Sequence, residues 1–295
     1  MKQRSTKKIV VVTGTSSGIG RATVFTLAQA GYYVLAGVRK EEDSKSIKEE
    51  SKIRNLDGAV EPLILDITNN LHIQNLVQIL ETKTRKGDQI VALVNNAGYL
   101  EAGAVETMPL KIWRAQYDVL LFGQVAIIQA MLPFLRLSSG KVLNITSIGG
   151  IVPGPMLAAY QSAKAAFEAF SDSLRMEVQS QGISVIAVAP GAISTVLLQE
   201  SEKKFSASLE QLSPEMRSLY GKDLQAYEKI AVTANRLSTS AETASKVILK
   251  VVNSKHPKTR YLIGYDAFFL ATLKRNLPDK IMDRVLKRLL GIPKN

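Results

Sequence analysis

Residues 8–20 read KIVVVTGTSSGIG, and this stretch decides the fold. Residues 8–13 are a short, β-branched, continuous apolar run, the pattern of a strand covered on both faces in a parallel sheet. Residues 13–20 add three glycines, and a helical segment at 19–30 follows, with Gly31 as its expected stop. Strand, glycine turn and helix in direct succession form a setting for phosphate, because the helix N-terminus presents unpaired N–H groups and a positive dipole end to the turn. Gly14 permits the tight turn, Gly18 lets the backbone approach a pyrophosphate, and Gly20 lets the helix pack closely on the strand.

The same rhythm repeats outward from this point. Residues 32–38, 59–65, 90–94, 141–146 and 183–189 read as strands. Helical segments at 44–55, 69–86, 110–137 and about 157–180 lie between them, and Pro133 is expected to kink or end the last turns of the 110–137 helix. Strands joined by helical crossovers predict an α/β fold, a doubly wound parallel β-sheet of Rossmann type with helices on both faces. Such a sheet binds ligands beyond the carboxyl ends of its strands. The chain, 1–295, reads as a single domain of this type. After Pro190 the rhythm breaks. Residues 196–236 are helical but mixed, an insertion expected to act as a substrate lid. A helix at 241–252, a last strand at 261–263 and a basic amphipathic tail at 265–295 complete the chain.

Composition removes several functions. Hydrophobic residues make up 46% and charged residues 22%, which excludes a disordered chain. The absence of cysteine rules out disulfides, thiolate metal sites and thiol nucleophiles. The two histidines, His72 and His256, have no spaced ligand partners, which argues against a metal centre and a Ser-His-Asp hydrolase. His72 reads as a helix-surface residue and His256 as a loop residue. The net charge of +12 sits at the ends, in residues 1–8 and 255–295, around a nearly neutral body, so no nucleic-acid partner is expected. No continuous run of about 18 apolar residues exists, so no spanning helix is expected. No secretory signal is read either, and a cytoplasmic location is compatible with this. The sequon at Asn144 falls in a predicted buried strand, and Trp113 reads as a packing residue.

With its glycines spaced at three and one, TGxxxGIG resembles the short-chain dehydrogenase/reductase family, and VLAGVRK at 34–40 resembles its hydroxysteroid and retinol dehydrogenase-like branch. The resemblance continues in register from about residue 8 to 195. It implies a nicotinamide cofactor held by the turn residues Gly14, Ser16, Ser17, Gly18, Ile19 and Gly20. Asp66 and Ile67 would contact the adenine. Asn95 would brace the sheet, with Asn96, Ala97 and Gly98 beside the ribose. Pro190, Gly191, Ile193 and Thr195 would hold the nicotinamide. Ser147, Tyr160 and Lys164 match the catalytic set, and Tyr160 and Lys164 would also touch the cofactor. Members commonly pair through their long helices, so a homodimer or tetramer is implied.

The residues themselves support this chemistry. Tyr160 and Lys164 are four apart in a helical segment and share one face. A phenol titrates near 10, and a neighbouring ammonium is expected to lower that value. Tyr160 could then exchange a proton with a carbonyl or alcohol oxygen that Ser147 orients. At the end of the second strand no acid is present to bind a ribose 2′-OH, and Arg39 offers its fork to a 2′-phosphate instead. NADP(H) is therefore expected over NAD(H), the other reading being that Arg39 is a solvated loop charge near Glu41 and Glu42. Val152, Met156 and Leu157 should line an apolar substrate pocket, to which the lid adds Val196, Leu197, Leu198, Phe205 and Tyr220. That points to a lipophilic alcohol or ketone, unless these side chains are simply core. The stripe Ile281, Met282, Val285, Leu286, Leu289 and Leu290 either packs on the body or a second subunit, or lies on an anionic membrane surface. One position departs from the family: Leu120 stands where an Asn usually supports a helix distortion and a proton-relay water. This leaves a second reading, a weakly active or inactive cofactor-binding regulator.

Overall fold

The computed structural model describes residues 6–291, without the side chains of 198, 199, 201, 202 and 230–237. In chain order the first half contains β1 (Lys8–Val12), α1 (Gly18–Gln29), β2 (Tyr33–Val38), α2 (Glu41–Ile53), β3 (Val60–Ile64), α3 (Asn70–Arg85) and β4 (Gln89–Asn95). Then come α4 (Leu110–Tyr117), a π-helical segment (Asp118–Phe122), α5 (Gly123–Ser138), β5 (Lys141–Ile145), α6 (Ala158–Val178) and β6 (Ser184–Pro190). The last part holds β7 (Ile193–Ser194), α7 (Val196–Glu210), α8 (Pro214–Leu237), β8 (Thr239–Ser240), α9 (Ala241–Asn253), β9 (Arg260–Ile263), α10 (Tyr265–Asn276) and α11 (Asp279–Leu289).

Seven strands form one parallel sheet in the order β3-β2-β1-β4-β5-β6-β9. The run at β1 explains itself physically. Successive side chains of a strand face opposite ways. Val10 and Val12 enter the core under α1, α2 and α9, whereas Ile9 and Val11 enter the core under α3, α5 and α6. All four are fully buried, and burial of each such side chain stabilises the fold by roughly 1.5–3 kcal/mol. Strand order reverses between β1 and β4, which opens a crevice at their carboxyl ends.

Two expectations are corrected. Pro133 neither ends α5 nor stops its last turns: the helix runs to Ser138, where Ser139 adopts the left-handed conformation that closes it. Pro133 and Gln129, whose carbonyl loses its i+4 donor, both face solvent, while Met131 and Leu135 anchor the following turn in the core. Residues 110–138 also make one helix that is long enough to cross a bilayer and contains an 18-residue stretch apolar enough to do so, of mean hydropathy 1.7. Scattered polar residues such as Gln124 and Gln129 break the continuous run sought in the sequence. Here Ile127, Ile128, Met131 and Leu135 pack on the sheet.

The insertion folds as a helix pair. Phe205, Leu212, Leu224 and Tyr227 make its own small core with Ala102, Ala104 and Met156. The β7–β8 pairing, Ile193 with Thr239 and Ser194 with Ser240, ties its two ends together.

Candidate active site

Two adjoining cavities lie at the carboxyl ends of the strands, of about 160 and about 380 Å³. Ile19, Asn96, Gly98, Tyr99, Thr195 and Leu197 line both, so they form one continuous cleft.

The smaller cavity is built on the glycine turn. Gly14 and Gly18 have φ of +67° and +56°, a region open to glycine. A Cβ at Gly14 would sit 2.6 Å from the Ala97 Cα, and one at Gly20 would overlap the Gly14 carbonyl oxygen. Gly20 therefore packs inside the turn and does not itself line a cavity. Ser17 caps α1 without a side-chain hydrogen bond, and no acid occupies the first helical turn. Ser17, Gly18 and Ile19 of that helix start line the cavity, the setting in which a helix N-terminus takes an anion. Ser16, Ser17, Arg39, Asp66, Ile67 and Ala97 complete the wall. Arg39 is exposed at the rim, and no ion pair ties it to Glu41 or Glu42. Burial would raise the Asp66 carboxyl, but hydrogen bonds from Thr68 and the charge of Arg39 outweigh it and hold the pKa below the ordinary value. These residues fit a dinucleotide.

Several contacts that position this wall were not read from the sequence. Thr13 accepts hydrogen bonds at its hydroxyl from Asn96 N (2.9 Å) and Ala97 N (3.0 Å). The Asn96 amide donates to the Thr13 and Gly14 carbonyls, both at 3.0 Å, so this side chain clamps the turn. Asn95, already expected to brace the sheet, donates to the Gln124 carbonyl (3.1 Å) and so ties β4 to α5. His72 is more than a surface residue: its Nδ1 accepts from Asp66 N at 3.0 Å. Asp266, in the first turn of α10, accepts from Ala192 N at 2.7 Å and packs against Gly191, where any Cβ would overlap its carboxylate.

The larger cavity is mostly apolar. Ser147, Tyr160 and Lys164 lie on its wall with Pro190, Gly191 and Ile193. Ser147 follows β5, accepts from Gly149 N at 3.0 Å and shares a hydrogen bond with Tyr160. Lys164, 4% exposed, donates from Nζ to the Ile145 carbonyl at 2.7 Å. Burial lowers its pKa to about 8 against the opposing charge of Glu168, which Arg260 pairs at 2.7 Å. The expected effect of Lys164 on the phenol is not what governs it. Burial pushes Tyr160 above its ordinary value, and the Ser147 hydrogen bond pulls it back only in part.

Val152, Leu157 and Leu197 line this cavity as expected. Met156 does not: it is buried in the lid core, held at a φ of +65°. Phe205 also belongs to that core, Val196 is exposed, and the Tyr220 hydroxyl donates to Glu106 at 2.6 Å. The Leu198 side chain lies outside the described residues. Leu270 of α10, and Leu286 and Leu290 of the tail, form the far wall. Met282 is buried on the same stripe, so the inward half of the tail packs on the body. The 282, 286, 290 spacing was the signal for this, without indicating which surface it would meet. Leu120, fully buried, lies within the π-helical segment, so the helix distortion exists without the usual Asn.

The short chain dehydrogenase family model matches residues 8–205. A 3-amino-tetrahydro-pyrrolizinone reductase of Xenorhabdus hominickii is 35% identical over 89% of this chain and 88% of its own. An NADPH-dependent 3-dehydrocapnine reductase of Ornithobacterium rhinotracheale is 29% identical over 94% of this chain and 95% of its own. Estradiol 17-beta-dehydrogenase 2 of Rattus norvegicus is 30% identical over 95% of this chain and 74% of its own.

Proposed function

The chain belongs to the short chain dehydrogenase family, and from that premise we propose that it is an NADP(H)-dependent oxidoreductase interconverting a lipophilic secondary alcohol and its carbonyl, with Tyr160 carrying the proton. One observation carries the reading: a glycine-turn cavity suited to a dinucleotide runs into an apolar cavity whose wall holds Ser147, Tyr160 and Lys164. A dinucleotide held at the glycine turn, with its nicotinamide end beside Pro190, Gly191 and Ile193 of the larger cavity, would supply or accept the hydride. Ser147 orients the substrate oxygen and Tyr160 gives it a proton. Lys164, fixed on the Ile145 carbonyl, sets a positive charge beneath the site. A phenol held neutral at physiological pH is in the form that donates a proton to a carbonyl oxygen.

NADP(H) is favoured by the exposed Arg39 at the rim, which forms no ion pair among the described residues, and by the NADPH dependence in one relative's name. A lipophilic substrate is favoured by the cavity walls and by the steroid named in another relative. In this reading the chain is one domain, with 196–236 as lid and 265–295 as a tail completing the pocket. The regulator reading loses ground, since the π-helical segment at Leu120 is intact. A homodimer or tetramer is supported by exposed Leu110, Phe122, Leu137 and Met176 on the long helices. Membrane-surface contact through the outer side of the tail is supported by exposed Tyr265, Phe268, Phe269, Ile281 and Leu289 among lysines and arginines. The test is a screen of ketones and alcohols with each nicotinamide, following absorbance. Turnover with NADPH and apolar ketones is expected; inertness towards all of them would reject the reading.

A further inference from the structure

Tyr227 and Gln161 place on the wall of the apolar cavity hydrogen-bond donors that the reaction does not use. Tyr227 of α8 is 7% exposed, lines the cavity and stacks on Phe205 at 5.4 Å between ring centres. Its hydroxyl has no hydrogen-bond partner among the described residues. Gln161 is equally buried; its amide oxygen accepts from Gly154 N at 2.9 Å, and its amide nitrogen donates to no described residue. Both side chains border Gly154, where a Cβ would overlap the Tyr227 hydroxyl and come within 3.9 Å of Leu290 Cδ1. A buried donor left unpaired destabilises the protein, so a pair of them facing one apolar space indicates a ligand acceptor.

The chemistry of that acceptor follows from the charges present. Among the described residues lining this cavity, Lys164 is the one charged side chain, and it is bound to the Ile145 carbonyl. Burial and, secondarily, the charge of Asp223 hold the Tyr227 phenol above its ordinary value, so it remains a neutral donor. Two neutral donors with no free cation suit an uncharged oxygen better than a carboxylate.

We propose that Tyr227 and Gln161 form a second polar subsite, which binds an uncharged hydroxyl, ether or carbonyl oxygen of the substrate apart from the carbon that is oxidised or reduced. This rests on reading the cavity as the substrate pocket, and it names the substrate class: lipophilic molecules carrying two oxygen functions. A site built to hydrogen-bond an oxygen discriminates strongly against the analogue lacking it.

The experiment compares 2-alkanones of about eight to twelve carbons with the same ketones bearing a terminal hydroxyl. Full-length protein is used, with kcat/KM read from NADPH oxidation and Kd from calorimetry. The wild type is expected to prefer the hydroxylated ketone by about tenfold or more at one chain length. Tyr227→Phe, which keeps the stacked ring, is expected to bring that ratio close to unity. Gln161→Leu, read the same way, is the second variant. A ratio unchanged by both variants, no preference in the wild type at any length, or no binding of either set overturns the proposal. Turnover of no ketone, with the Kd ratio still dependent on Tyr227, would reject the enzymatic reading and leave the subsite standing.

Discussion

Arg39 follows the last residue of β2 and stands exposed at the rim of the glycine-turn cavity, without an ion-pair partner among the described residues. A guanidinium there can take a phosphate in two parallel hydrogen bonds, which a ribose hydroxyl cannot match. Arg39→Ala is expected to raise the KM for NADPH by about ten- to a hundredfold and to change that for NADH little. Equal changes in both would make Arg39 a solvated charge. Lys164 gives a second prediction at this scale. Its pKa falls from 10.5 unfolded to about 8 folded, through burial. Between those values the unfolded chain holds a proton that the native state has released, so stability rises with pH there, by at most about 1.4 kcal/mol per pH unit. Without added nucleotide, the wild type should gain melting temperature relative to Lys164→Met from about pH 8 to about pH 10. A parallel course of the two would mean that Lys164 is not buried as a cation.

At the scale of elements, β1, the glycine turn and α1 were legible because their signals are local: a β-branched run buried on both faces, then glycines whose Cβ atoms would collide. The alternation of strands and helices was legible for the same reason. The fate of Pro133 was not, since it depends on which side of α5 meets solvent. Met156 was read as pocket wall because its neighbours are, yet its left-handed backbone turns it into the lid core. Thr13, Gln124 and Asp266 hold the cofactor wall through contacts to residues far away in the chain, which no local pattern reports. Leu120 carries a prediction of its own. The π-helical segment exists around it, and its side chain packs near Gly98. Leu120→Asn should change turnover by less than about threefold while costing about 2–4 kcal/mol of stability through polar burial. A large gain in turnover would show that the relay is impaired.

For the whole molecule, the tail has two sides. Leu270, Leu286 and Leu290 line the larger cavity, while Phe268, Phe269, Ile281 and Leu289 remain exposed beside basic residues. An apolar face with cations suits an anionic lipid surface, and the cavity lies directly beneath it. Co-sedimentation with vesicles containing anionic lipid is expected, weakened by high salt and by Phe268→Glu with Phe269→Glu. Binding that ignores lipid charge and both substitutions, or no binding, would leave these rings to a partner copy or to solvent.

The proton step is tested most directly by Tyr160→Phe, which removes one oxygen from the wall shared by Ser147 and Lys164. NADPH should bind the variant with an affinity within about threefold of the wild type, while kcat for ketone reduction falls by about a thousandfold or more. Turnover undiminished in the variant would contradict Tyr160 as the proton donor.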